Sequence, residues 1–252
     1  MKINSKRLLD DLNYLRTLTD TPGMGVSRFS YGGMDRQARI HLKSIADGLG
    51  ATWNQDGVGN IRIGLPGNRP GQKTILAGSH IDSVRNGGWL DGVYGSISAL
   101  EVLRTLAESG RTFHKNYEVA IFAEEEGSNF DSTLTGSKFI AGIYGPDKLD
   151  QLKNQDDVTL REMLAGTFTH LNAEFGFGLV LMLAVRRVPF LEKPGVLVVI
   201  VVIGSEVEDI DVEAVADVDV EADVIDVVVR ASHPRMMTDS AIAKHRIRCF
   251  LM

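Results

Sequence analysis

The chain has 252 residues, a formal charge of -6 and 44% hydrophobic residues, enough for one large domain or two smaller ones around a sizeable core. That charge offers no basic stripe for phosphates and argues against a general nucleic-acid binder. The lone Cys249 excludes an internal disulfide and fits a reducing compartment, so a cytoplasmic location is expected. The start, Met1-Lys-Ile-Asn-Ser-Lys-Arg7, lacks the apolar centre of a signal peptide. The apolar runs at 175–185 and 196–203 are too short to span a membrane.

Taken in chain order, the pattern predicts helices at 5–18 and 34–49, the second with Ala38, Leu42, Ile45 and Leu49 on one face. A strand follows near 58–64. Lys73 to Ser79 is a short apolar run bounded by turn residues and reads as a buried strand ending at His80. Residues 92–108 are helical in pattern, with Val93, Ile97, Leu100, Arg104 and Ala107 on one face. Tyr117 to Ala123 is a second buried strand, and 132–142 another helix. Alternating strands and helices imply an α/β sheet layered by helices.

The chemistry lies at the ends of these elements. His80, Asp91 and Glu126 stand eleven and then thirty-five residues apart, at two strand ends and a helix start. Imidazole and carboxylate together suit zinc, manganese, cobalt or nickel, and a carboxylate can bridge two ions. Glu125 is then free to act as a base on water. Each residue also has a plainer reading. His80 could be a structural histidine, Asp91 a helix cap, and the triplet Glu124-Glu125-Glu126 a solvated turn. Glu124 is expected to be an exposed turn residue.

The strings GSHIDSVRNGGWLDGVYG (78–95) and AEEEGSNF (123–130) with TGSKFIAG (135–142) resemble the hydantoinase/carbamoylase branch of the zinc-peptidase superfamily. So do Thr21 to Arg28, the helix with Asp35, Arg36 and Ala38, and Gly57-Val-Gly-Asn-Ile61. The resemblance runs from about residue 5 to about 165. It implies a catalytic α/β domain, here partial, built around two divalent metals, with a smaller α+β lid that also forms a homodimer. It further implies that His80 binds one metal, Asp91 bridges both, Glu126 binds the other and Glu125 is the general base. Asp82 would accept a hydrogen bond from the free ring nitrogen of His80 and fix its tautomer. The implied reaction is hydrolysis of a linear amide or ureido bond of a small molecule, N-carbamoyl amino acids or allantoate, with release of ammonia. An aminoacylase or peptidase of the same superfamily is the alternative. The EEG-S-x-F and NGG-x-LDG strings favour the ureido-hydrolase branch.

The second part departs from the pattern. The resemblance implies two more ligand histidines, one midway and one near the C-terminus. The counterpart of the first, Pro189-Phe-Leu-Glu-Lys-Pro-Gly195, contains none, and the second is expected beyond residue 252. His170 has unmatched flanks. Ten acids and no base occur between Glu206 and Asp226, a segment expected to be a solvated acidic strand face or poorly ordered. Arg230 to Met237 faintly resembles a lid segment whose histidine stabilises the substrate carbonyl, which would make His233 that residue. The expected division is a partial catalytic domain at 1–195 and a lid remnant at 196–252. An inactive or impaired relative, retaining metal binding or dimer formation, is the competing reading.

Overall fold

The computed structural model describes residues 1–175, 197–200, 217–221, 224–229 and 245–247, with side chains described through residue 167. Helix α1 (Ser5–Thr17) is capped by Asn4, whose side chain accepts from the Arg7 amide at 3.1 Å. Helix α2 (Gly33–Gly48) follows, then strands β1 (Thr52–Gln55), β2 (Ile61–Leu65) and β3 (Ile75–His80). Helix α3 (Val93–Glu108) leads to β4 (Tyr117–Phe122). Helices α4 (Thr135–Ile140), α5 (Lys148–Gln151) and α6 (Leu160–Phe175) precede β5 (Leu197–Ile200). The α/β class expected from the sequence is what the structure has.

The five strands form one sheet in the order β1-β2-β4-β3-β5. Strands β4, β3 and β5 are parallel, with His80 paired to Phe122, whereas β1 and β2 run antiparallel along one side. Strand β1 was not anticipated. Thr-Trp-Asn-Gln carries no apolar alternation, and it is an edge strand that needs none.

The alternate residues Ile61, Ile63, Tyr117, Val119 and Ile121 pack with α1, α2 and α3 into the main core. On the opposite face Leu76, Ala120 and Phe122 meet Ile140 of α4. The sequence pattern gives α3 one apolar face, but nearly every residue from Val93 to Leu106 is buried, because α3 lies between the sheet and α1. Its charged members are therefore paired. Glu101 is fully buried and receives both Nε and Nη2 of Arg7 at 2.8 Å, while Arg104 binds Asp11, which also holds His41 Nε2 at 3.0 Å. Buried charges persist in a core only when so compensated.

Strands β6 (Asp217–Glu221), β7 (Val224–Val229) and β8 (His245–Ile247) form a separate antiparallel sheet. The acidic alternation of Asp217 to Glu221 is thus a strand, with Asp219 opposite Asp226. Most of the expected lid, including His233, lies outside the described residues, as do the segment 189–195 of the expected catalytic domain and the division at 195. No described helix is long and apolar enough to cross a membrane.

Candidate metal centre

Strand order places the site. The connection from β3 through α3 leads to β4 on one side, and the connection from β4 returns to β5 on the other side of β3. Adjacent strand ends whose connections diverge leave a crevice at their carboxyl edge, where open α/β sheets bind ligands. His80 ends β3 and Glu124 to Glu126 follow β4, so both strings arrive at this crevice.

Ligand atoms of His80, Glu125 and Glu126 all lie within 4.8 Å of one another. Nε2 of His80 is 3.4 Å from Glu125 Oε2 and 3.8 Å from Asp91 Oδ1. Among the described residues, the tight triad therefore contains Glu125, expected as the base, while Asp91, expected as the central bridge, stands beside it. Asp91 is not spent on capping. The N-cap of α3 is Gly92 and no side chain caps that helix, which leaves the Asp91 carboxylate, 28% exposed, open to the crevice.

Gly92 has φ +62°, and a Cβ there would lie 2.3 Å from His80 Nε2. The glycine of the LDG string thus serves two needs, a left-handed backbone and room for the imidazole. The Ser96 hydroxyl of α3 donates to the His80 carbonyl at 3.0 Å and anchors the end of β3.

Asp82 is placed differently from expectation. The hydrogen-bond partner of His80 Nδ1 is the backbone carbonyl of Asp82 at 3.1 Å, whereas the Asp82 carboxylate stands 3.5 Å away as an ion-pair neighbour. Its Oδ2 accepts the Glu126 amide at 3.1 Å, and the buried Oδ1 has no hydrogen-bond partner. The backbone after β3 brings the 82 carbonyl to the ring, a contact that residue spacing cannot distinguish from one by the side chain. Asp82 thus ties the two strand-end loops together. Asp82→Asn replaces one of these oxygens by a donor, facing either the Glu126 amide or the His80 ring. Metal affinity should fall about 10- to 100-fold, as for other residues that orient ligands. Competition with a chelator measures this, and unchanged affinity would discard the role.

Glu124 is a correction. It is fully buried, not exposed. Its backbone is left-handed, φ +51°, and its carboxylate accepts the Asn129 amide at 2.7 Å and the Asn129 side-chain amide at 2.8 Å. A run of three glutamates has no periodicity that separates an inward one from its neighbours.

Electrostatics follow from this crowding. Burial pushes the carboxyls of Glu124 and Glu126 up to about 7, and raises that of Glu125. Burial alone would lower the His80 pKa, but Asp82, Glu125 and Glu126 outweigh it and raise it to about 9. A buried imidazole among this many acids calls for a cation. The donor set, one nitrogen and several oxygens converging on one crevice, fits a divalent metal of the zinc or manganese kind.

Residues 60–166 match the sequence pattern of Peptidase family M28. The chain is 33% identical over 177 residues to an N-carbamoyl-L-amino-acid amidohydrolase of Pseudomonas sp., covering 70% of this chain and 41% of that one. It is 31% identical over 178 residues to an allantoate amidohydrolase of Bacillus subtilis, with the same coverages. The crystal structure of a hydantoinase/carbamoylase family amidase from Burkholderia vietnamiensis matches with a TM-score of 0.63 and 32% identity, over 66% of this chain and 40% of that one. The chain thus spans about two fifths of the length of these relatives. Fold and sequence agree over the same stretch, and through its first two thirds this chain is similar to Peptidase family M28 and to amidases of the hydantoinase/carbamoylase family.

Proposed function

We propose that the chain is a metal-dependent amidohydrolase acting on a linear ureido or amide bond, with N-carbamoyl amino acids or allantoate as the substrate class and ammonia as product. The observation that carries this reading is the convergence of His80, Glu125 and Glu126 within 4.8 Å, with Asp91 adjacent. The relatives named for these substrates support the substrate class.

His80, Asp91 and Glu126 would hold the divalent metal ions. A divalent cation there supplies an acidified water and polarises the carbonyl. Glu125 takes the proton of the attacking water and returns it to the leaving nitrogen as the C–N bond breaks and the C–O bond forms. A carboxyl whose pKa is raised by burial suits both halves of that task. The Asp82 carbonyl at Nδ1 holds His80 in the tautomer that leaves Nε2 free as a ligand.

Ligation requires a neutral imidazole, so metal and proton compete at His80. Because the metal-free pKa is raised to about 9, affinity should climb with pH below that value and level off above it. The deprotonation of Glu126, at about 7, steepens the climb further below pH 7. Chelator competition at pH 6.5 and pH 8 tests this, and equal affinity at the two would remove His80 from the ligand set.

The functional test is ammonia release from allantoate and N-carbamoyl-L-amino acids with Zn²⁺ or Mn²⁺ in excess. One further reading has its own support. Residues 189–195 contain no histidine where the resemblance implies a ligand, which favours a homologue that binds metal with little turnover. Metal binding without ammonia release would select that reading.

A further inference from the structure

The turn carrying Glu125 and Glu126 is held by three residues that no part of the proposed reaction uses. Ser30 Oγ accepts the Glu124 amide at 2.7 Å. The Asn129 side-chain amide donates to the Ser30 carbonyl at 2.8 Å and to Glu124 Oε2 at 2.8 Å, and the Asn129 backbone amide donates to Glu124 Oε1 at 2.7 Å. Four hydrogen bonds thus close a ring across segments more than ninety residues apart in sequence.

A fully buried carboxylate whose side-chain hydrogen bonds all come from neutral amides is costly to keep. An apolar residue would pack the position without that cost, unless its acceptors have a directional task. The backbone points to that task. Glu124 is left-handed, so the chain reverses there, sending the 124 side chain inward while 125 and 126 share the crevice. On the other flank the carbonyls of Ala123, Glu124 and Glu125 accept the amides of Gly136, Thr135 and Leu134 at 2.9, 3.0 and 2.7 Å. Asn60 accepts the Ala123 amide at 2.9 Å and donates to the Gly136 carbonyl at 3.1 Å. A Cβ at Gly136 would lie 2.1 Å from Asn60 Oδ1, so this seam is closely fitted. The outer side of the turn is thus braced by backbone, and the inner side by Glu124 and Asn129.

We propose that Ser30, Glu124 and Asn129 form a positioning clamp that sets the direction of Glu125 and Glu126 toward His80. The clamp rests on the amidohydrolase reading for its purpose, but it is testable without metal. Glu124→Gln places a donor opposite the Asn129 amide and keeps the volume. Asn129→Ala removes two of the four hydrogen bonds by a different route.

In the metal-free 252-residue chain, amide exchange at Glu126, Asn129 and Asp131 should quicken by at least about tenfold in both variants. Core amides of α3, Leu100 and Leu103, should keep their wild-type rates. The double variant should exchange no faster than the quicker single one, because the two residues act as one unit. In the cobalt-loaded protein, visible absorption bands should shift in both variants, reporting a changed ligand field that a mere loss of stability does not produce. Unchanged exchange in the turn, or equal acceleration of the turn and α3 in both variants, would overturn the clamp. So would an unaltered cobalt spectrum in variants that bind the ion. If the wild-type chain binds no cobalt while the turn alone quickens, the clamp stands and the metal reading fails.

Discussion

Glu125→Gln should lower ammonia release by on the order of 10²- to 10⁴-fold, the usual contribution of a general acid–base group, with metal in excess and the fold unchanged. Glutamine keeps the shape and removes the proton acceptor. The residue stands 3.4 Å from His80 Nε2 and within the compact triad, so the same variant separates two roles. As a base, Glu125 can be lost with metal affinity held within about tenfold, since a residue that only moves protons is not a ligand. As a ligand, its loss should cost affinity together with turnover. Rate and chelator competition measured on the same preparation decide between them. A wild-type chain that binds metal and releases no ammonia would assign it to the impaired homologues. Glu125→Gln would then leave ammonia release unchanged, and its affinity alone would tell whether Glu125 is a ligand.

Gly92→Ala should disturb the centre with a single methyl group. The added Cβ would need to occupy space within 2.4 Å of three ring atoms of His80, at a backbone angle of +62° that L residues rarely adopt. Either the imidazole swings out or the start of α3 shifts, and both separate His80 from Asp91. Metal affinity should fall by at least about tenfold, with a lower melting temperature in the metal-free chain from the left-handed backbone. Wild-type affinity in this variant would show that His80 does not ligate through the ring edge facing Gly92, and the proposed centre would have to be redrawn.

The gap between expectation and structure has a consistent physical form. Periodicity and turn chemistry were enough to locate β3, α3 and β4, because each has a strong apolar pattern bounded by glycines or polar residues. They also bring His80 and the glutamates to strand ends, where a parallel sheet leaves its crevice. What they could not resolve is direction at single residues. Nothing local states that Glu124 turns inward while Glu125 and Glu126 do not. That outcome depends on Ser30 and Asn129, brought in from before α2 and after β4. In the same way, only the backbone path after β3 decides that the Asp82 carbonyl meets the His80 ring while its carboxylate holds the Glu126 amide.

By itself, then, the amino-acid order determined the α/β class, the three long-patterned elements around the crevice and the residue types that converge there. Hydrophobic burial at fixed periods is a local property that a single chain displays along its length. Tertiary structure alone decided which carboxylates share the opening, that Asp91 stands beside the triad and that Gly92 makes room for the ring. Those depend on contacts within a few ångströms between segments distant in sequence, where a hydrogen bond or a steric overlap chooses between directions that the local pattern leaves equal.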